Sequence, residues 1–511
     1  MAAAHPTLTP TWLRDGLAWG LTLATAALHL AFAGRYDLFR DELYFIVCGQ
    51  HPAFGYADQP PLVPILAAGL YAVGGNAFWV RLPSVIAAAA LVFVTVRLAR
   101  RIGSNGVGAG IAGLAAATAP VLMGLTATLS TSSFDPLAFT GIALLLIRGI
   151  EGDDRALVWA GVTAGIILQV KYSLVLWAIG VAIGVLLFER GLLRRKALWA
   201  GLAISAAIAV PSLIWQALHG FPFLELSAAA EGKNADVAIG PFVANQLLIM
   251  NPLFAPLWIA GLIAPFAAPR FGRLRFLVAA YAVTFALVRL GHGKDYYLAA
   301  LYPVLIAIGA AWLSDLARRG WRRRTLLGWA GLATAFAASL APIALPILPP
   351  EKLEAYMLQT GIAPQAQEKS FAGTVLPQMF ADQLGWHAFT EQVGQTWLYV
   401  APSDRARTAI LTDNYGEAAA LDLYGGRFGL PPVLSGHNQY FLLGLRGQDP
   451  ANLIVVTDSP EDLVPVCTHA DVVGKTFARF AVAHENGKAI VWCEGLKKPL
   501  GTLWPAVKHF E

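Results

Sequence analysis

Long apolar runs separated by short polar breaks make up the first two thirds of the chain. They fall at residues 17–33, 78–99, 107–125, 134–147, 156–170, 172–188, 197–217, 241–266, 276–288, 297–312 and 326–348. A helix that crosses a bilayer takes about 20 mostly apolar residues, so the pattern predicts about eleven transmembrane helices, the shorter runs leaving soft boundaries and room for one re-entrant span. The first run ends in Ala31-Phe32-Ala33, which resembles the small-residue site after a signal peptide. A weakly basic lead and a wholly membrane-embedded continuation favour an uncleaved helix instead. Between the first two runs lies RYDLFRDELYFIVCGQHPAFGYADQPPL, residues 35–62. Its carboxylates Asp37, Asp41, Glu42 and Asp58 sit among aromatic residues suited to a membrane surface, and residues 34–76 are predicted to be the first extracytoplasmic loop.

From about residue 349 the texture changes to that of a soluble protein, after the punctuation PILPPEKLEAY. Two pieces share one plan: TAILTD (408–413) followed by 417–424, and NLIVVTD (452–458) followed by 461–466. Each reads strand, turn, helix, which predicts a small α/β domain over 349–511 behind a membrane domain over 1–348.

Composition agrees: 57% of residues are hydrophobic, 14% charged, and the mean hydropathy is positive. Charge then orients the chain. The formal +5 divides into an excess of cations before residue 348 and of carboxylates after it. With the N-terminus inside, the alternate loops predicted to be cytoplasmic hold 17 Lys and Arg, in clusters such as Arg318, Arg319, Arg322, Arg323 and Arg324, and the opposite loops hold 7. The positive-inside rule turns that asymmetry into a cytoplasmic N-terminus and, for an odd number of spans, an extracytoplasmic C-terminal domain of an inner-membrane protein. The cations serve topology and the tail is acidic, so nucleic acid is not an expected partner. Cys467 and Cys493 are able to bridge in an oxidising compartment or to stay free, and Cys48 is single.

On the outer side this topology gathers Asp41, Glu42, Asp58, Arg81, Asp135, Lys171, Lys294 and Asp295. Carboxylates and cations at one membrane face are the components needed to deprotonate an acceptor and hold an anionic leaving group. Each has a plain alternative: a solvated loop carboxylate at Asp41, a helix cap at Asp135 before Pro136, a snorkelling cation at Arg81, a topological turn at Lys171. The polar stretches 414–417 and 435–438 of the tail are candidates for acceptor contact, or simply loops.

These residues carry a resemblance. The Asp41-Glu42 pair, Asp58-Gln59-Pro60-Pro61-Leu62, Arg81-Leu82-Pro83, Asp135-Pro136-Leu137, Lys171-Tyr172 and His292-Gly293-Lys294-Asp295-Tyr296-Tyr297 resemble, in order, the GT-C membrane glycosyltransferases of the protein O-mannosyltransferase and lipid A aminoarabinose transferase type. The resemblance implies a GT-C fold and inverting transfer of a sugar from a polyprenyl-phosphate donor to a lipid, glycan or protein acceptor. It implies Asp41 as the base, with Glu42 beside it at the catalytic position. Arg81, Lys171 and Lys294 are the candidates for the donor phosphate, and Asp58, Asp135, His292, Asp295 and Tyr296 complete the expected site. Gln59 stands where relatives carry His or Lys, so that position supplies no cation here. Asp41, Asp58 and Asp135 have the chemistry to hold Mg²⁺ or Mn²⁺, but the resemblance implies no cofactor. The competing classes are a transporter, against which the absence of a hydropathy repeat speaks, and a non-catalytic envelope scaffold.

Overall fold

The computed structural model describes residues 15–233, 238–363 and 371–510. Every predicted apolar run contains helix, and the helices are less regular in length than uniform crossings would be. Among the described residues six helices or helical stretches are long and apolar enough to cross a membrane: 77–101, 131–150, 196–218, 269–290, 295–316 and 320–343. The run at 241–266 is a seventh only if Ile239–Ile249 and the stretch 252–267 count as one span, since they meet at 90°. Asn251 lies at this corner with a φ of +69°. It caps the following turn by accepting from Leu253 N, while its amide donates to Ala333 O. The run at 107–125 is broken at Ala119 by Pro120, which cannot donate to a helix before it. Shorter apolar helices at Gly16–Phe32, Leu62–Gly74, Gly106–Thr118 and Leu174–Phe188 pack among the longer ones.

Close helix approach is made possible by small residues, as expected where lipid removes most of the hydrophobic drive between helices. A Cβ on Gly309 would fall 1.8 Å from Leu257 O, and one on Gly184 would fall 2.3 Å from Phe276 O. These contacts join Tyr302–Leu316 to Ala255–Ala267 and Leu174–Phe188 to Arg275–Leu290.

The polar ends sort as the charge pattern predicts. Asp15 caps the first helix at Ala18 N and pairs with Arg97 and Arg100; Arg101 pairs with Glu151, Arg195 with Asp154, and Arg270 with Asp315. The cation-rich connections therefore meet one another at one end of the bundle. Helix Ala77–Arg101 runs from Arg81, near the other end, to this one.

Residues 34–76 are not a loop. They form two helices, Arg40–Gln50 and Leu62–Gly74, joined by a buried turn in which Tyr56 N donates to Gln59 O and Leu62 N to Gln169 O. The C-terminal region carries a five-stranded sheet of β1 (Thr408–Thr412), β2 (Leu434–Ser435), β3 (Asn452–Thr457), β4 (Cys467–Lys475) and β5 (Ala489–Leu496), in the order β2-β1-β3-β5-β4. β1 is parallel to β2 and β3, and β5 is antiparallel to β3 and β4. The first predicted strand–helix piece is present, β1 leading to helix Tyr415–Tyr424. The second is not: β3 is followed by the 3₁₀ turn Pro460–Leu463, because Pro460 and Pro465 leave too short a stretch for a helix. Cys467 and Cys493 form a disulfide between β4 and β5, and Cys48 is buried and single.

Candidate active site

Asp41 and Glu42 occupy the first turn of helix Arg40–Gln50, where the helix dipole favours carboxylates. On a helix the two side chains diverge, and their surroundings differ entirely. Glu42 is fully buried and accepts from Phe39 N at 2.8 Å, from Leu129 N at 2.7 Å and from the Arg81 guanidinium at 2.8–3.2 Å. Arg81 is equally buried. Beyond Glu42 it donates to Ala33 O, Tyr36 O and Asp37 O, so all five of its N–H groups are committed. Glu42, expected beside the catalytic position, and Arg81, expected at the donor phosphate, are thus engaged with each other and with the surrounding backbone. The pair is a structural clasp of four segments, with no donor or open face left for a substrate.

Asp41 is different: its side chain is about one-third exposed. The Tyr415 hydroxyl donates to its Oδ1 at 2.8 Å, and Arg40 Nε stands 3.7 Å from that same oxygen. Arg40 lies between the rings of Phe371 and Tyr415, at 5.3 and 5.4 Å from their centroids. Behind it is Asp382, whose carboxyl is pushed up to about 6 by burial, with Arg40 opposing and Asp41 reinforcing the shift. A Cβ on Gly416 would fall 2.4 Å from Arg40 Cγ, so the absence of a side chain there lets the start of helix Tyr415–Tyr424 seat on Arg40.

Asp58 reaches the same neighbourhood from the turn after the helix. It accepts from Tyr44 Oη at 2.9 Å, and Tyr44 Oη accepts from Gln439 N at 3.0 Å. Burial, with the Asp58 charge, holds the Tyr44 phenol well above its ordinary value. The rings of Tyr44 and Tyr415 lie 4.4 Å apart, and His437 packs on the other side of Tyr415 at 4.7 Å. Gln59 is buried nearby and, as its chemistry requires, adds no charge.

A second cluster forms around Lys171, in the turn between helices Asp154–Leu168 and Leu174–Phe188. Its ammonium donates to Ser132 Oγ at 2.6 Å, lies 3.6 Å from Asp135 and sits 4.7 Å above the Tyr297 ring. Asp135 does not cap its helix: Phe134 occupies that position without a side-chain cap, and the carboxylate faces Lys171 and Ser173. One of its oxygens is buried without a hydrogen-bond partner. Tyr297 belongs to the 3₁₀ stretch Asp295–Leu301, which places Lys294, half-buried, and Tyr296, packed edge-on to Tyr297 at 5.0 Å, beside this cluster. Asp295 is buried against Asn245 and exposed His292 turns with φ +50°, so these two shape the turn. Chain 129–135 ties the clusters together, bonding Glu42 through Leu129 N and Lys171 through Ser132. Among the described residues no three His, Cys, Asp or Glu side chains are grouped to hold a metal ion.

Several partners were not legible beforehand. Asp37 accepts from Tyr424 Oη at 2.9 Å and pairs with exposed His387 at 2.9 Å; of the stretch 414–417, Tyr415 reaches Asp41, and of 435–438, His437 packs against Tyr415. Their only sequence signal is polarity.

Comparison with known proteins follows this geometry. A family model described as dolichyl-phosphate-mannose-protein mannosyltransferase matches residues 58–215. The lipid A galacturonosyltransferase RgtD of Rhizobium johnstonii is 30% identical over 190 residues, 36% of this chain and 39% of that protein, so the match spans well under half of the relative. ArnT from Cupriavidus metallidurans, solved with undecaprenyl phosphate bound, superposes with a TM-score of 0.58 at 14% identity, over 93% of this chain and 98% of that one; its apo form gives 0.59. The mycobacterial arabinofuranosyltransferase AftD matches with a TM-score of 0.51 at 14% identity, over 93% of this chain and 40% of its own length. The resemblance to GT-C membrane glycosyltransferases holds, and the chain has the ArnT-like GT-C fold of a multi-pass membrane protein.

Proposed function

We propose that this protein is an inverting glycosyltransferase of the cell envelope, moving a sugar from a polyprenyl-phosphate donor to a hydroxyl of a lipid A-type acceptor. The observation that carries this is Asp41: a partly exposed carboxylate in a first helical turn, its Oδ1 held by Tyr415 and its Oδ2 without a partner among the described residues. In this reading Oδ2 takes the acceptor proton, the acceptor oxygen attacks the anomeric carbon, and the polyprenyl phosphate leaves with the bonding electron pair. One displacement inverts the centre. Lys171 and Lys294 meet the charge growing on the departing phosphate, and no divalent ion takes part, so transfer should persist in EDTA. The galacturonosyltransferase relative and the undecaprenyl phosphate bound to ArnT support the acceptor and donor classes. The test is transfer from undecaprenyl-phosphate galacturonic acid or aminoarabinose to lipid A by the purified protein, beside mass analysis of lipid A from a deletion strain. No transfer by the purified protein and an unchanged lipid profile in the deletion strain together would reject the proposal.

Lys171 is partly exposed and holds one neutral hydroxyl and one carboxylate at 3.6 Å, so it has capacity for a phosphate that Arg81 lacks. Lys171→Ala should raise the donor KM by about tenfold, within the worth of a charge-assisted hydrogen bond. Unaltered donor KM would remove Lys171 from the phosphate site.

The proposal puts the active site outside the cytoplasm, in keeping with the cation asymmetry and with a disulfide in the C-terminal sheet. In intact cells an impermeant maleimide should label Tyr399→Cys, which is 89% exposed, and spare Gly191→Cys in the exposed turn 190–194. The opposite labelling would reverse the orientation.

A further inference from the structure

We propose that Tyr415, from the C-terminal domain, is a positioning residue for Asp41, and that this contact is why the domain belongs to the enzyme. The inference rests on the reading of Asp41 as the base. Tyr415 Oη donates to Asp41 Oδ1 at 2.8 Å across 374 residues of sequence, which leaves Oδ2 as the oxygen turned to an acceptor. Two aromatic contacts help to aim the ring: Tyr44 lies 4.4 Å away on the membrane side, and His437 4.7 Å away on the domain side, where its Nδ1 accepts from Tyr415 N at 3.4 Å.

The backbone that carries Tyr415 is fixed in turn. Asn414 caps the helix by accepting from Gly416 N and Glu417 N at 2.9 and 3.0 Å, and its amide donates to Glu485 at 3.0 Å. Glu417 closes the capping box by accepting from Asn414 N. It also binds Lys488 at 2.7 Å, an ammonium that is buried and lies 3.4 Å from both Asp413 and Asp458. A buried ion cluster of this density costs desolvation and supplies registry rather than stability. Here two of its members, Asp413 and Glu417, lie two residues before and two residues after Tyr415.

A hydroxyl that only aims the Asp41 carboxylate has nothing left to do once that carboxylate is gone, so the contact has a signature that packing alone lacks. Tyr415→Phe keeps the ring stack and removes only the donor. In the purified transfer assay with an undecaprenyl-phosphate sugar and lipid A, it should lower kcat about tenfold and leave donor KM unchanged. In the double variant with Asp41→Asn, the Tyr415→Phe change should cost nothing further. A fall in kcat that multiplies with that of Asp41→Asn in the double variant, or that comes with a raised donor KM, would assign Tyr415 a packing role and overturn the proposal. Wild-type kinetics in Tyr415→Phe beside an inactive Asp41→Asn would overturn it while leaving Asp41 as the base. Normal turnover in Asp41→Asn would overturn both.

Discussion

Asp41→Asn is expected to reduce sugar transfer by about 10²-fold or more while donor binding persists. Asparagine keeps the size and planarity of the carboxylate and still accepts from Tyr415 at the Oδ1 position. What it loses is the oxygen able to take a proton, and an acceptor hydroxyl is a poor nucleophile until its proton has somewhere to go. Asp41 is partly exposed and no backbone amide depends on its side chain, so the variant should purify and melt like the wild type. Single-turnover transfer with donor binding measured in parallel separates the two. Turnover within a few-fold of wild type would remove the base from position 41 and leave Asp58, held by Tyr44, as the nearest alternative.

The second large effect falls on stability. Arg81→Ala is expected to cost about 3–5 kcal/mol, the usual consequence of breaking a buried ion pair, because Glu42 would remain charged with its main partner gone. Three backbone carbonyls would lose their donors as well. The readout is the yield and melting temperature of protein in detergent, not its kinetics. Arg81→Met with Glu42→Leu should recover much of the loss, since replacing both members of a buried pair with apolar groups spares the unpaired charge. An Arg81→Ala protein that melts normally but shows a raised donor KM would return Arg81 to the phosphate site.

Arg81 and Lys171 mark the boundary of what residue type can tell. Both are cations at the outer ends of apolar runs, and sequence gave each the same reason to meet a phosphate. Arg81 is spent on four residues of the stretch 33–42, whereas Lys171 faces a hydroxyl, a carboxylate and an aromatic ring. The difference lies in Leu129, Ser132, Ala33 and Asp37, none of which carries a signal of its function in isolation. The pair Asp41-Glu42 divides in the same way: both are carboxylates at one place in the sequence, and a helical turn sends one side chain into the bundle and the other toward the domain. Hydropathy sums over a window and is blind to corners, such as the 90° bend at Asn251 or the break at Pro120.

By itself the sequence determined the membrane class, the change of texture near residue 349, the strand–helix unit at 408–424, the segregation of cations to one end, and the identity of the polar segment that holds Asp41. Those are properties of local composition and period, which the bilayer and the backbone read directly. Tertiary structure alone decided that Glu42 and Arg81 neutralise each other, that Cys467 meets Cys493, and that Tyr415 reaches Asp41. Each of these is a pairing between side chains remote along the chain or on different elements. Its energy depends on a few ångströms and on whether water is excluded, and neither quantity is a function of residue type or spacing.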